Sequence, residues 1–285
     1  MEEIAELLTS EFVQRALIAG FIVALTAPII GLFMVLNRLS LIGDTIAHTA
    51  FAGVAIGVFF NASPIWSALA ISVAGALGIT KIRQSARISG DAALAVIFSG
   101  GLAIGVFLIS ITRTFTLNLS SLLFGSILLV SWFDVWLVAG VGFATVCTII
   151  LLYKELVHVA LDEDLARASG LPVNKMNYLL GIIIGVMVVA TMRVVGILMV
   201  SALLIIPALS AMQIAKSFKQ SIILSVTFAL TSVITGISIA LIIDSAPGGS
   251  IVLSAVCTFL AILVGKMIVN SVKAKRIGEE STTLR

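Results

Sequence analysis

Residues 37–60 read NRLSLIGDTIAHTAFAGVAIGVFF, an apolar run interrupted by one acid and one imidazole. Asp44 and His48 stand four positions apart. At about 3.6 residues per turn, that spacing stacks both side chains on one helix face, one turn apart. Arg38 precedes them and belongs at the membrane surface. His48 follows ten residues later, roughly 15 Å along a helix axis and so near the middle of a hydrocarbon core about 30 Å thick. A carboxylate and an imidazole at that depth are costly unless something pairs with them, and their default reading is functional. The same two groups form a fragment of a divalent-metal site, which makes Asp44 and His48 candidate metal ligands. Two other readings use the same residues: a packing pair satisfied locally by each other or by Ser and Thr neighbours, and a proton relay.

Composition sets the class. The chain has 285 residues, of which 60% are hydrophobic and 11% charged, with a mean hydropathy of +1.22. Soluble domains carry about 25% charged residues, so the chain is expected to be an all-α, polytopic transmembrane bundle. A net charge of +3 is small, and no nucleic-acid partner is expected. Cys147 and Cys257 fall inside apolar runs, where they read as small buried hydrophobes and not as a disulfide framework. The opening MEEIAELLTSEF is acidic and lacks a cleavage-site pattern, so it does not read as a cleaved signal peptide.

Apolar runs cover 16–36, 44–60, 64–80, 91–111, 132–153, 177–192, 196–214, 221–243 and 250–270. They are expected to be nine helical spans, with eight or ten as the neighbouring counts, in a single transmembrane domain over 1–285. The run 119–131, with Ser120, Ser121, Gly125, Ser126 and Ser131, is short and polar and reads as a re-entrant or surface segment. With nine spans, fourteen of the seventeen Lys and Arg residues fall on one side. Only Arg15, Arg113 and Arg193 fall on the other, which predicts a cytoplasmic C-terminus and an outside N-terminus. Gly53/Gly57, Gly101/Gly105 and Gly181/Gly185 are each spaced by four and predict close helix packing inside the bundle.

The longest cytoplasmic connection is 154–176. Asp162 is expected to cap a short helix beginning at Glu163, with acids in its first turn and Gly170 and Pro172 as stop signals. Leu161, Leu165 and Ala168 would form one apolar edge. Because Asp162, Glu163 and Asp164 would repel anionic lipid, that edge points to a partner protein. His158 in the same connection reads as an exposed histidine.

Other polar residues have plainer expectations. Asp134 and Asp244 are expected as solvated or capping carboxylates near outer span ends, Asp91 as an N-cap, and Arg193 as a snorkelling interfacial side chain. Pro207 removes one helix hydrogen bond from its span and kinks it or frees a carbonyl, so Ser201 and Pro207 are weaker pathway candidates. No further intramembrane His, Asp or Glu presents itself as a third ligand. The rest of a metal shell, six donors for manganese or four for zinc, has to come from water, backbone carbonyls, another helix or a second copy of the chain. No phosphate-binding loop, HExxH, CxxC or Ser–His–Asp pattern occurs, so no enzyme is expected.

Three stretches together carry a resemblance: NRLSLIGDTIAHTAFAGVAIG (37–57), LDEDLARASGLPV (161–173) and VGILMVSALLIIPA (195–208). In that order they resemble the permease subunits of zinc/manganese/iron ABC importers over nearly the whole chain. The resemblance implies a type II importer-like permease of the bacterial plasma membrane that pairs with a second copy of itself. It also implies a cytoplasmic ATPase dimer, an extracellular metal-binding substrate protein and no tightly bound cofactor. Asp44 and His48 match the family's pathway Asp and His. The coupling segment falls on Asp162, Glu163, Leu165, Ala166 and Gly170. The cargo would be Mn2+, Zn2+ or Fe2+, bound less tightly at acid pH. An ATP-independent, proton-coupled metal carrier and a siderophore or cobalamin permease are the alternatives.

Overall fold

The computed structural model describes residues 10–85, 90–112, 123–125, 130–243 and 245–283; for 84, 85, 270 and 272–283 it describes the backbone alone. Nine of the described helices are long and apolar enough to cross a membrane. They are α1 (Glu11–Leu36), α2 (Ile42–Phe59), α3 (Pro64–Ser85), α4 (Gly90–Thr112), α5 (Trp132–Leu151), α8 (Val173–Val195), α9 (Val200–Ile214), α10 (Phe218–Ile243) and α11 (Pro247–Thr283). The short helices α6 (Tyr153–Leu161) and α7 (Glu163–Ala168) connect α5 to α8, and a 3₁₀ turn, Ile197–Met199, opens the α9 span. No strand occurs among the described residues. The nine expected spans are therefore present. Helices form because lipid offers backbone groups no partner. Hydroxyls inside the spans bond back to their own helix, as Thr26 does to the Ile22 carbonyl at 2.8 Å and Ser210 to that of Ile206 at 2.8 Å.

Enclosure ranks the spans. The membrane-length segment of α2 is 78% buried and that of α8 72%, against 11% for α11. The span that carries Asp44 and His48 is thus the most enclosed, while α11 runs along the periphery. Cys257, on α11, is consequently exposed and Cys147 only half-buried, which corrects the expectation of two buried thiols.

The glycine pairs pack helices within the chain, as expected. A Cβ on Gly53 would lie 2.7 Å from the Ala68 Cα of α3, and one on Gly185 of α8 would lie 3.3 Å from the Ser72 carbonyl oxygen. The tightest approach joins α1 to α9, where a Cβ on Gly31 would stand 1.8 Å from the Leu204 carbonyl oxygen. Three further glycines meet at the bundle end where α1 begins. A Cβ on Gly196 would sit 2.3 Å from the Gly125 nitrogen, and one on Gly248 would sit 2.0 Å from the Val195 oxygen.

The turn before α2 sets the site in place. Leu39 donates its N–H to the Met34 carbonyl and Arg38 to that of Val35, at 2.8 and 3.1 Å. This Schellman closure puts Arg38 at φ 56°, where glycine is the usual occupant. Asp91 lies inside the first turn of α4, which starts at Gly90. It is therefore not the expected N-cap, and the helix macrodipole accounts for its place there. Asp244, the acidic residues before Ser10 and most of the 119–131 run lie outside the described residues.

Candidate functional site

Asp44 sits in the first turn of α2, half-buried, where the positive end of the helix dipole favours a carboxylate. Its Oδ1 accepts a hydrogen bond from the Ser201 hydroxyl of α9. Ser201 is 6% exposed. Gly43 allows the approach: a Cβ there would meet the Ser201 Cβ at 3.2 Å and the Met34 Cε at 3.1 Å.

One turn further on, His48 is 9% exposed. Its ring packs against Phe98 of α4, with centroids 4.2 Å apart and planes at 68°. Its Nδ1 is buried and has no hydrogen-bond partner. Among the described residues no group of three His, Cys, Asp or Glu side chains gathers to hold a metal. What converges is a carboxylate, a hydroxyl bonded to it and a free imidazole, a nitrogen and oxygen set that suits borderline and hard dications. Pro207 lies further along α9, buried within the unbroken helix, and it cannot donate to the Leu203 carbonyl one turn back.

The 154–176 connection folds as its sequence indicates. Asp162 caps α7, its Oδ1 accepting from the Leu165 N–H at 2.9 Å. Gly170, at φ 82°, donates to the Arg167 carbonyl while Leu171 donates to that of Ala166, both at 3.1 Å, forming a Schellman stop. Ala166 is fully buried, whereas Leu161, Leu165 and Ala168 are exposed and form the expected apolar edge. Glu163 accepts from the Asn177 amide at 3.1 Å, tying α7 to α8. His158 is exposed, as expected.

A family model described as the ABC 3 transport family matches residues 9–266. The chain belongs to that family of ABC transporter permeases. Among its relatives, the permease is 35% identical over 254 residues to the manganese transport system membrane protein MntC of Halalkalibacterium halodurans, covering 89% of this chain and 87% of the relative. It is also 35% identical over 249 residues to the manganese import system permease protein ScaB of Streptococcus gordonii, covering 87% and 89% respectively. Its fold is similar to PsaBC from Streptococcus pneumoniae, solved in complex with Fab, at a TM-score of 0.83 and 36% identity over 92% of this chain and 94% of that one.

The permease also holds a polar cluster that its sequence did not disclose. Asp134, expected near the surface as a solvated or capping group, does form a capping box with Ser131, yet it is only 1% exposed. Arg193 of α8 does not snorkel. Its Nε and Nη2 donate to the two carboxylate oxygens of Asp134 at 2.8 and 3.2 Å, because a carboxylate sealed from water needs a counter-charge. Next to it, Trp132 donates from its indole to Glu11 at 2.9 Å, and Arg15 lies 5.8 Å above the Trp132 ring. One signal was available. Asp134 and Arg193 are lone opposite charges, each near the same-side end of its own span.

Proposed function

We propose that this chain is the membrane subunit of an ATP-driven importer that carries a divalent transition metal into the bacterial cytoplasm, with manganese as the first candidate. The observation that carries the reading is the convergence on α2. Asp44 and His48 lie one turn apart in the most enclosed span, Ser201 bonds the first, and the second keeps an unpartnered imidazole. Relatives named for manganese support that choice of cargo, and zinc and iron suit the same donors. Asp44 binds ionised and His48 neutral. Water, backbone carbonyls or a second copy of the chain complete the shell, and an incomplete protein shell suits an ion that must also leave.

ATP is hydrolysed on a separate cytoplasmic dimer, and an extracellular substrate protein delivers the ion. The apolar edge of Leu161, Leu165 and Ala168 meets the ATPase. Its movement passes through the Glu163–Asn177 bond into α8, which packs on α2 and α3. That route opens the site alternately to each side. The C-terminus lies in the cytoplasm with most of the basic residues, and the bundle end bearing Glu11, Trp132, Asp134 and Arg193 faces outward.

Elemental analysis of cells carrying wild-type, Asp44→Ala and His48→Ala permease tests the reading. Loss of accumulation of one metal in both variants is expected. Unchanged contents of every transition metal would end it.

A further inference from the structure

We propose that Phe98 is a positioning residue for the transported ion, holding the His48 imidazole so that Nε2 alone can reach the passage. The inference rests on the metal-site reading above and adds a residue from a third span to it.

The geometry starts from α4. Phe98, Gly101 and Gly105 recur at helical spacing and form one face turned to α2. A Cβ on Gly101 would stand 3.0 Å from the His48 carbonyl carbon and oxygen, and one on Gly105 would stand 2.4 Å from Cδ1 of Phe51. The two backbones are therefore in direct apposition at His48, and this brings the Phe98 ring to 4.2 Å from the imidazole at a 68° angle. Nδ1 is sealed without a hydrogen-bond partner. With Nδ1 sealed, Nε2 is the ring nitrogen left to meet an ion.

A metal-binding histidine ordinarily donates its second N–H to a carboxylate or carbonyl, which fixes the ring and makes it a stronger donor. His48 has no such acceptor among the described residues, so the aromatic contact fixes its plane instead. A ring oriented this way binds through a fixed nitrogen but gains no added basicity. That combination favours an ion held briefly.

The test measures Mn2+ affinity, by electron paramagnetic resonance of the free ion, on the purified permease–ATPase complex in nanodiscs. Phe98→Leu keeps apolar bulk without the ring, and Phe98→Tyr keeps the ring. We expect Phe98→Leu to weaken binding about tenfold, as loss of an outer-shell partner does, and Phe98→Tyr to restore it. His48→Ala combined with Phe98→Leu should bind no more weakly than His48→Ala alone. Wild-type affinity in Phe98→Leu, or additive losses in the double variant, would overturn the positioning role while leaving the site intact. Wild-type affinity in His48→Ala would overturn the site and this inference together. If Phe98→Leu does not assemble with the ATPase, Phe98→Met takes its place in the comparison.

Discussion

Arg193 and Asp134 are 59 positions apart in the chain, and their ion pair closes at 2.8 Å. The pair joins the start of α5 to the end of α8 in a setting where the carboxylate is 1% exposed. Removing one partner leaves a buried charge without compensation. Arg193→Met is therefore expected to destabilise the permease by about 3–5 kcal/mol. The double variant Asp134→Asn with Arg193→Met should recover much of the loss. Thermal unfolding of the three variants in detergent checks this, and equal melting temperatures for the single variant and wild type would refute it.

Ser201 bonds Asp44 across two spans, and Ser201→Ala removes that donor without adding bulk. A hydrogen bond to a charged group contributes about 1.5 kcal/mol or more, roughly a tenfold change in an equilibrium constant. Metal uptake is expected to fall by about that factor in Ser201→Ala, against near-complete loss in Asp44→Ala. Uptake assays with a radioactive metal tracer separate a partial defect from a complete one.

Two glycines differ in how much space surrounds them, and the difference predicts opposite failures. Alanine at Gly31 would put Cβ 1.8 Å from a carbonyl oxygen, so Gly31→Ala should not accumulate as folded protein. At Gly43 the nearest atoms lie at 3.1 and 3.2 Å, one of them the flexible end of Met34. Gly43→Ala should fold, push Ser201 away from Asp44 and lower uptake. Membrane abundance measured beside transport distinguishes the two.

Leu165 is 56% exposed on α7. Leu165→Asp should leave the bundle folded while abolishing co-purification of the ATPase. Gly170 has open space around it but stands at φ 82°. Gly170→Ala therefore meets only backbone strain, about 1–2 kcal/mol, and should reduce ATPase stimulation without dissociating the complex. Pull-down and phosphate-release assays read the two effects separately.

Protonation removes the imidazole lone pair, so Mn2+ affinity of the purified complex should fall as pH is lowered, and less steeply in His48→Ala. A pH profile identical in the two proteins would exclude His48 as a ligand.

The parts of this structure legible in the sequence are those set by neighbours along the chain. Hydropathy located nine spans, because a lipid-crossing helix needs only its own residues. Asp162 at the start of α7 and Gly170 at its end are local signals, and both hold. Four-residue spacing placed Asp44 and His48 on one face. By contrast, the Ser201–Asp44 bond, the Phe98–His48 contact and the Arg193–Asp134 pair each join residues from different helices. Their identity depends on which span packs beside which, and periodicity carries no information about that. Asp134 looked like a surface cap because its capping box is real, and nothing nearby in the chain indicates that a guanidinium from α8 covers it.

At the bundle end where α1 begins, Gly125, Gly196 and Gly248 meet main chain against main chain. A joint of this kind leaves no smaller residue to retreat to, so any replacement can only wedge the three segments apart. The seal between those segments is consequently made by peptide planes stacked on one another, and a single added methyl group would be enough to pry it open.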